Sequence, residues 1–197
     1  ALDATEEQLD FPILYGSAKQ GWMATDPSGP KDSLAPLFDL VLERVAIALA
    51  AQGLRCCGTV QINSARADAG PCDMDVRVLP DGAVLRISQD LGPESRGCRL
   101  DPAALETAVG LVEPRLKAGA DLLIVNKFGK HEAEGRGFRT LIAEAVAMDV
   151  AVLVGLNARN LAAFEAFSGG LAVRLPPDVT ALTDWGREAA LKPAPAP

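Results

Sequence analysis

Residues 121–126, DLLIVN, and residues 150–156, VAVLVGL, are two apolar runs, each followed by a polar loop. After the loops come residues at helical spacing, at Phe138, Leu141, Ile142 and Ala145 and again in NLAAFEAF at 160–167. Continuous apolar strands that alternate with amphipathic helices are typical of a parallel sheet covered on both faces. The pattern predicts an α/β protein, a three-layer α/β/α sandwich with a mostly parallel sheet.

Further elements follow from the same patterns on either side of these runs. The alternation of MDVRVLPDGAVLRIS at 74–88 predicts a β-hairpin inserted at a sheet edge. The remaining predicted strands are FPILY at 11–15, CCGTVQI at 56–62 and LAVRL at 171–175, and the predicted helices span 33–52, 102–118 and 179–191. We expect one domain over residues 1–190 and a disordered tail over 191–197.

Composition restricts the classes of partner. The chain has 197 residues and a net charge of −7, which disfavours nucleic acid and anionic membranes as partners. Charges interrupt every apolar run before it reaches the length of a membrane span, and the N-terminus lacks the form of a signal peptide, so we predict a cytoplasmic protein. With a single histidine and no C-x-x-C pair, no metal site is expected.

The loops after the strands carry the candidate site, because ligands of such sheets bind outside the carboxyl ends of the strands. The loop at 126–136 holds Lys127, Lys130 and Arg136, and a helix is expected to begin near Gly135. Cations beside a helix N-terminus suit a phosphate or another small oxyanion. Asn126, which ends its run, and Asn157 and Arg159, which follow the next strand, are further candidates.

A bland alternative for the same loop stays open, namely a solvated charged loop in which Glu132 and Glu134 neighbour the cations. His131 is expected at the surface, since no partner at informative spacing gives it a role in acid–base chemistry.

Gly16 and Gly21 have the spacing of a phosphate-binding loop, G-x-x-x-x-G-K-[ST], but Trp22 and Met23 stand where Lys and Ser or Thr belong. We therefore favour a plain connection between a strand and a helix. Asn126 occupies the place after an apolar strand where a nucleoside-triphosphatase has an acidic residue, and a neutral amide is a poor Mg²⁺ ligand. Hydrolysis is not expected.

Residues 46–178 resemble the family known as domain of unknown function 2478. The matching stretches are CDMDV at 72–76, RISQDLGPESRGCRLD at 86–101, GADLLIVNKFGKHEAEGRGFR at 119–139 and ARNLAAFEAFSGGLA at 158–172. The resemblance implies a P-loop NTPase-like (Rossmann-like) fold, and members often lie near molybdate-uptake genes. It implies no particular activity.

Residues 2–45 are similar instead to a segment of the translational GTPase family TypA/BipA, the last strand, loop and helix of its GTP-binding domain. In that family the letters SAK, here Ser17, Ala18 and Lys19, form the fifth guanine-nucleotide motif. The other motifs of the GTPase are missing, and NKFGK at 126–130 has Gly129 where the guanine-binding Asp belongs. The two resemblances suggest a chimera that joins near Val45–Ala46 inside one helix. Tight GTP binding is not expected.

The leading hypothesis is a binding domain for a nucleotide or a small oxyanion that does not hydrolyse its ligand. One alternative is a weak nucleoside-triphosphatase that uses Lys19 and the Gly16–Gly21 loop. A second is a chimeric scaffold without retained activity. No residue is assigned a catalytic role, no cofactor is predicted beyond such a nucleotide or oxyanion, and the oligomeric state stays open.

Overall fold

The computed structural model describes residues 13–17, 19–24, 27, 31, 34–64, 73–90 and 99–191. The strands are β1 (Tyr15–Ser17), β2 (Trp22–Ala24), β3 (Cys56–Ser64), β4 (Asp73–Val78), β5 (Val84–Arg86), β6 (Leu122–Phe128) and β7 (Ala151–Leu156). The helices are α1 (Ala35–Ala51), α2 (Pro102–Lys117), α3 (Lys130–Ala133), α4 (Arg139–Ala147), α5 (Leu161–Ser168) and α6 (Val179–Ala190), with a 3-10 turn at Ala158–Asn160.

The main sheet has the strand order β5-β4-β3-β6-β7 among the described residues. Strands β3, β6 and β7 are parallel, whereas β4 and β5 form an antiparallel hairpin on the outer side of β3. The α/β class, the parallel strands and the hairpin at the sheet edge are thereby confirmed. Arg86 joins the two hairpin strands through ion pairs to Asp73 and Asp75, with N–O distances of 2.7 and 2.9 Å.

Helices cover both faces of the sheet. The side chains of β6 show this, since they alternate between two apolar cores. Leu123 and Val125 face a core built with α2 and α4, whereas Leu122 and Ile124 face a core built with α1 and α6. All four are at most 1% exposed. A strand that is apolar on both faces can only be accommodated between two layers of helices, as its sequence predicts.

Aspartates cap two of the helices. The Asp101 carboxylate accepts the backbone N–H groups of Ala103 and Ala104, as expected for the start of α2, and Asp178 accepts the N–H of Ala181 at the start of α6. Such caps satisfy N–H groups that have no partner inside the helix. Helix α1 runs through Val45 and Ala46 without a break, as predicted.

The prediction for the N-terminal strand is wrong over its described residues. Ile13 and Leu14 lie outside any strand, and β1 pairs antiparallel with β2 as a separate two-stranded sheet. Phe11 and Pro12 lie outside the described residues. Because Ser17 pairs with Trp22, β1 is followed by β2 and not by a helix, so neither a phosphate loop nor a strand-to-helix connection follows β1 among the described residues. Three-residue strands joined by a short turn can satisfy each other locally, without the main sheet.

The expected strand at Leu171–Leu175 is also absent, and this segment has no regular structure. Leu171 and Val173 are 77% and 73% exposed, so an apolar run here does not mark a buried element. No helix in the described ranges is long and apolar enough to cross a membrane.

Candidate functional site

The loops that follow β6 and β7 meet at the carboxyl edge of the sheet. Phe128, at the end of β6, pairs in register with Leu156, at the end of β7. Beyond that pair, the side-chain amide of Asn160 donates a hydrogen bond from Nδ2 to the carbonyl oxygen of Phe128, over 3.3 Å. The two loops thus lie side by side, as expected for neighbouring parallel strands.

Asn157 shapes the second of these loops. Its Oδ1 accepts the backbone N–H and the Nδ2 of Asn160, each over 3.1 Å. This is the hydrogen bond that an N-terminal capping residue makes to the third residue of the following turn. Arg159 projects from the turn as an exposed side chain. Asn157 therefore stabilises its own loop, and Arg159 provides an exposed cation in that loop.

The four cations of the predicted site fall into two classes. Lys130 and Arg136 both contact Glu134, and the Arg136 hydrogen bond together with the Lys130 charge holds the pKa of Glu134 below its ordinary value. Lys127 and Arg159 are exposed, and neither forms an ion pair with any residue that the structure describes. Lys130 and Arg136 thus fit the bland alternative of a charged surface loop, whereas Lys127 and Arg159 keep their charge available.

Asn126 does not lie in a loop. It is inside β6 and 8% exposed, with Nδ2 donating to Oδ1 of Asp39 (3.2 Å) and Oε1 of Gln61 (3.3 Å). Its own Oδ1 accepts the backbone N–H of Gln61. The amide thus joins β6 to β3 and α1. An amide with these bonds satisfied stabilises a buried position, and it leaves little capacity for a ligand.

A second buried polar cluster, which no local pattern in the sequence predicts, lies behind the β6–α4 loop. Glu132 is 3% exposed, and His131, expected at the surface, is 7% exposed. His131 Nε2 lies 3.2 Å from Oε1 of Glu106, a residue of α2 that is 25 positions away along the chain. A partner on another element leaves no local pattern in the sequence, which is why the histidine prediction is wrong.

The expected helix near Gly135 begins later, because α4 starts at Arg139 and only the four-residue helix α3 precedes it. Arg139 stacks on Phe167 at 4.2 Å from the ring centre and donates to the carbonyl of Glu132. The Arg139 side chain is therefore engaged within the protein, and the anion prediction cannot rest on a helix start at Gly135.

Two of the three N-terminal candidates, Ser17 and Lys19, are described and lie in the small hairpin of β1 and β2. Ser17 is in β1, and its Oγ and carbonyl oxygen accept the N–H of Gln20. Lys19 is exposed in the turn, and Ala18 lies outside the described residues. Strand β2 packs against α1, with Ala24 buried. That these residues join the Lys127 region in one site stays a prediction.

The described ranges contain no group of three His, Cys, Asp or Glu residues that could hold a metal ion. A cavity of about 180 Å³ lies elsewhere, between the C-terminal half of α1 and the turn after β4. It is lined by Ala46, Ile47, Cys56, Val60 and Leu79, among others. None of the residues that line this cavity belongs to the two loops.

Three comparisons place the chain among known proteins. Residues 35–185 match the family described as Protein of unknown function (DUF2478). The "Molybdenum import ATP-binding protein ModC 2" of Bradyrhizobium diazoefficiens is 32% identical over 178 residues, which are 90% of this chain but 19% of that protein. The "Large ribosomal subunit assembly factor BipA" of Salmonella typhimurium is 43% identical over 44 residues, 22% of this chain and 7% of that protein. No solved structure matches.

These matches extend the family beyond the expected boundary at residue 46. The family match starts at Ala35, the first residue of α1, and the match to the Bradyrhizobium protein leaves only a tenth of the chain outside, so both cross Val45–Ala46. The short BipA match agrees with the N-terminal resemblance. Since the family match covers most of the chain, the protein belongs to the family described as Protein of unknown function (DUF2478).

Proposed function

We propose that the protein is a P-loop NTPase-like domain that binds a nucleotide or a small oxyanion at the carboxyl edge of β6 and β7 and does not hydrolyse it. The observation that carries the proposal is the junction of the two loops at the Asn160–Phe128 hydrogen bond. Lys127, in β6, directly precedes Phe128 of that junction, and Arg159 directly precedes Asn160 in the loop after β7. Both cations lack an ion pair among the described residues.

The charge of the chain supports an anion at this place for a physical reason. The protein carries −7 overall, so two exposed cations that form no ion pair with a described residue, one near the end of β6 and one in the loop after β7, are a local exception to its surface charge. Hydrogen bonds from Lys or Arg to a phosphate are shorter and stronger than bonds between neutral groups. Arg offers a planar fork of donors and Lys a point charge, a combination that suits the oxygens of a phosphate.

The ATP-binding protein that the chain resembles makes a nucleotide the first ligand to test, and its molybdenum-import name makes molybdate the second. A catalytic role is not part of the proposal. Asn126, at the position where an acidic residue would support Mg²⁺, is committed to Asp39 and Gln61. GTP is not favoured over ATP, because Ser17, Ala18 and Lys19 are the only guanine-nucleotide motif present.

Isothermal titration of ATP, GTP, phosphate and molybdate into the wild-type protein and into Lys127→Ala/Arg159→Ala tests the proposal. We expect at least one of these ligands to bind the wild type and to bind the variant about tenfold or more weakly, with affinity that falls as salt rises. No binding of any of the four at millimolar concentration would reject the proposal and favour the scaffold alternative. Release of phosphate from ATP at a rate that depends on Lys19 would favour the nucleoside-triphosphatase alternative.

A further inference from the structure

The peptide unit between Phe128 and Gly129 is held from both of its sides. The N–H of Gly129 donates to Oε2 of Glu132 over 2.8 Å, and the carbonyl oxygen of Phe128 accepts Nδ2 of Asn160 over 3.3 Å. In a trans peptide the N–H and the C=O point in opposite directions. The loop after β6 therefore binds this peptide at its N–H group, and the loop after β7 binds it at its carbonyl oxygen.

Glu132 connects this peptide to the far end of its own loop. Its second oxygen, Oε1, accepts the backbone N–H of Phe138 over 3.4 Å. One carboxylate therefore joins the start of the β6–α4 loop to the residue before α4. A carboxylate that is 3% exposed destabilises the folded state unless hydrogen bonds compensate for lost water. The loop conformation that supplies these N–H groups is thereby selected.

Glu106 and His131 close the cluster from the side of α2. Oε1 of Glu106 accepts the N–H of Gly137 over 2.8 Å and lies 3.2 Å from Nε2 of His131. Gly137 has a φ of 57°, and a Cβ at this position would come within 2.4 Å of Oε1 of Glu132. The turn at Gly137 thus fits against the two carboxylates only because it has no side chain.

Asn160 connects the loop after β7 to the same peptide unit. Its Nδ2 bridges the Phe128 carbonyl and Oδ1 of Asn157, which ties the 3-10 turn of the second loop to the end of β6. Arg159 precedes Asn160 in that turn, and Lys127 precedes Phe128 in β6. The position of each exposed cation is therefore linked to the same peptide unit.

We propose that Glu132 and Asn160 are positioning residues which, through the peptide between Phe128 and Gly129, hold Lys127 and Arg159 in one arrangement before a ligand arrives. The inference rests on the anion-binding function proposed above, and it adds the residues that organise the site. Groups fixed in advance bind more tightly, because less conformational freedom is lost on binding. Neither Glu132 nor Asn160 needs to touch the ligand for this effect.

Binding of ATP to Glu132→Gln, Asn160→Ala and the double variant tests the inference. Glu132→Gln has an exposed control in Glu134→Gln, which removes the same charge two residues away. We expect Glu132→Gln and Asn160→Ala each to weaken ATP binding about tenfold, the double variant to be no weaker than either single one, and Glu134→Gln to stay within about twofold. A hundredfold loss in the double variant, or equal behaviour of the two Glu→Gln variants, would overturn the inference.

Hydrogen exchange of the Gly129 amide in the unliganded protein separates this inference from the proposed function. Asn160 does not contact that N–H, yet Asn160→Ala should speed its exchange about tenfold by releasing the other side of the peptide, with circular dichroism unchanged. Should ATP fail to bind while Gly129 responds in this way, the binding function is wrong and the coupling stands. If the exchange rate of the Gly129 amide does not change in Asn160→Ala, the coupling between Asn160 and Glu132 is rejected, whether or not a ligand binds. If Glu132→Gln does not fold, Asn160→Ala alone decides the question.

Discussion

The two halves of strand β6 differ sharply in what they bury. The first four residues, Leu122–Val125, are apolar and at most 1% exposed, and they face the two cores in turn. From Asn126 onward, the strand and its loop bury an asparagine, a histidine and a glutamate in addition to the apolar Phe128. Both halves contain buried side chains, so burial alone does not distinguish them. The chemistry of the groups that are buried does.

The apolar half gains its stability from burial, which depends on area and hardly on direction. The polar half gains little net free energy, because its hydrogen bonds replace bonds to water, but it penalises every arrangement that leaves a group unpaired. The first half therefore fixes that a strand passes through the core. The second half fixes how the loops beyond it are held, and that is where the proposed site lies.

Gly58→Ala should destabilise the apolar half of the strand pair β3–β6. Gly58 has a φ of 116°, and a Cβ there would lie 1.9 Å from the carbonyl oxygen of Ile124, its partner in β6. We expect the free energy of unfolding to fall by about 3 kcal/mol or more. Urea denaturation measures it. The control is Gly110→Ala in α2, where no atom lies within 4 Å and up to about 1 kcal/mol should be gained. Equal effects would mean that β3 and β6 do not approach so closely.

Asn126→Asp should destabilise the polar half, although the new side chain has nearly the same shape as asparagine. The new carboxylate would replace the amide nitrogen that lies 3.2 Å from Oδ1 of Asp39 and 3.3 Å from Oε1 of Gln61. We expect a loss of about 2–3 kcal/mol at pH 7, measured by urea denaturation. Like charges raise carboxyl pKa values, so the loss should shrink as the pH falls and one carboxyl takes up a proton.

Asn157→Asp is the matched control for that variant. Asn157 is exposed and uses Oδ1 as an acceptor, which a carboxylate also provides. The expected change is within about 0.5 kcal/mol. If Asn126→Asp is equally mild, the buried amide does not distinguish the two halves.

The amino end of β6 offers a smaller test through pH. Arg55, before β3, donates hydrogen bonds to Asp121, before β6, and this holds the pKa of Asp121 below its ordinary value. A depressed carboxyl pKa adds stability above the unfolded-state pKa of about 4 and loses it as the pH falls through the folded-state pKa. Asp121→Asn should therefore lower Tm at pH 7, and the difference from the wild type should shrink as the pH falls below about 4. Asp184→Asn, in the exposed pair with Arg187, is the control expected to change Tm less at pH 7.

The smallest effect is expected at Asp149, between α4 and β7. Its φ is 57°, in the left-handed region that favours glycine. Asp149→Gly should raise the free energy of unfolding by about 0.5 kcal/mol, and Asp149→Ala, which removes the same carboxylate, should not. A gain in both variants would assign the effect to the charge and not to the backbone.

The sequence predicted the apolar half of β6 and its surroundings well, because apolar period and caps are local. The strands at 56–62, 121–126 and 150–156, the hairpin and the Asp101 cap are present. The errors at 13–15 and 171–175 share one cause, because an apolar run does not indicate whether a partner strand is available. Ile13 and Leu171 are more than half exposed.

The polar half was predicted only in part, because its partners are distant in the chain. Glu106, Asp39 and Gln61 reach the loop region from α2, α1 and β3. One local sign did exist. Asp39 stands three positions before Leu42, on the face of α1 that also carries Val45 and Leu49, and an acid on an apolar helix face indicates a buried polar partner.

Titration of ATP into two double variants tests the central claim most directly. Lys127→Ala/Arg159→Ala removes the two cations without an ion pair, and Lys130→Ala/Arg136→Ala removes the two that contact Glu134, so both variants lose the same charge. If the site lies where the two loops meet, the first variant should bind ATP about tenfold or more weakly than the second. An equal loss of ATP affinity in both variants would mean that only the overall charge matters. A greater loss in the second variant would contradict the claim.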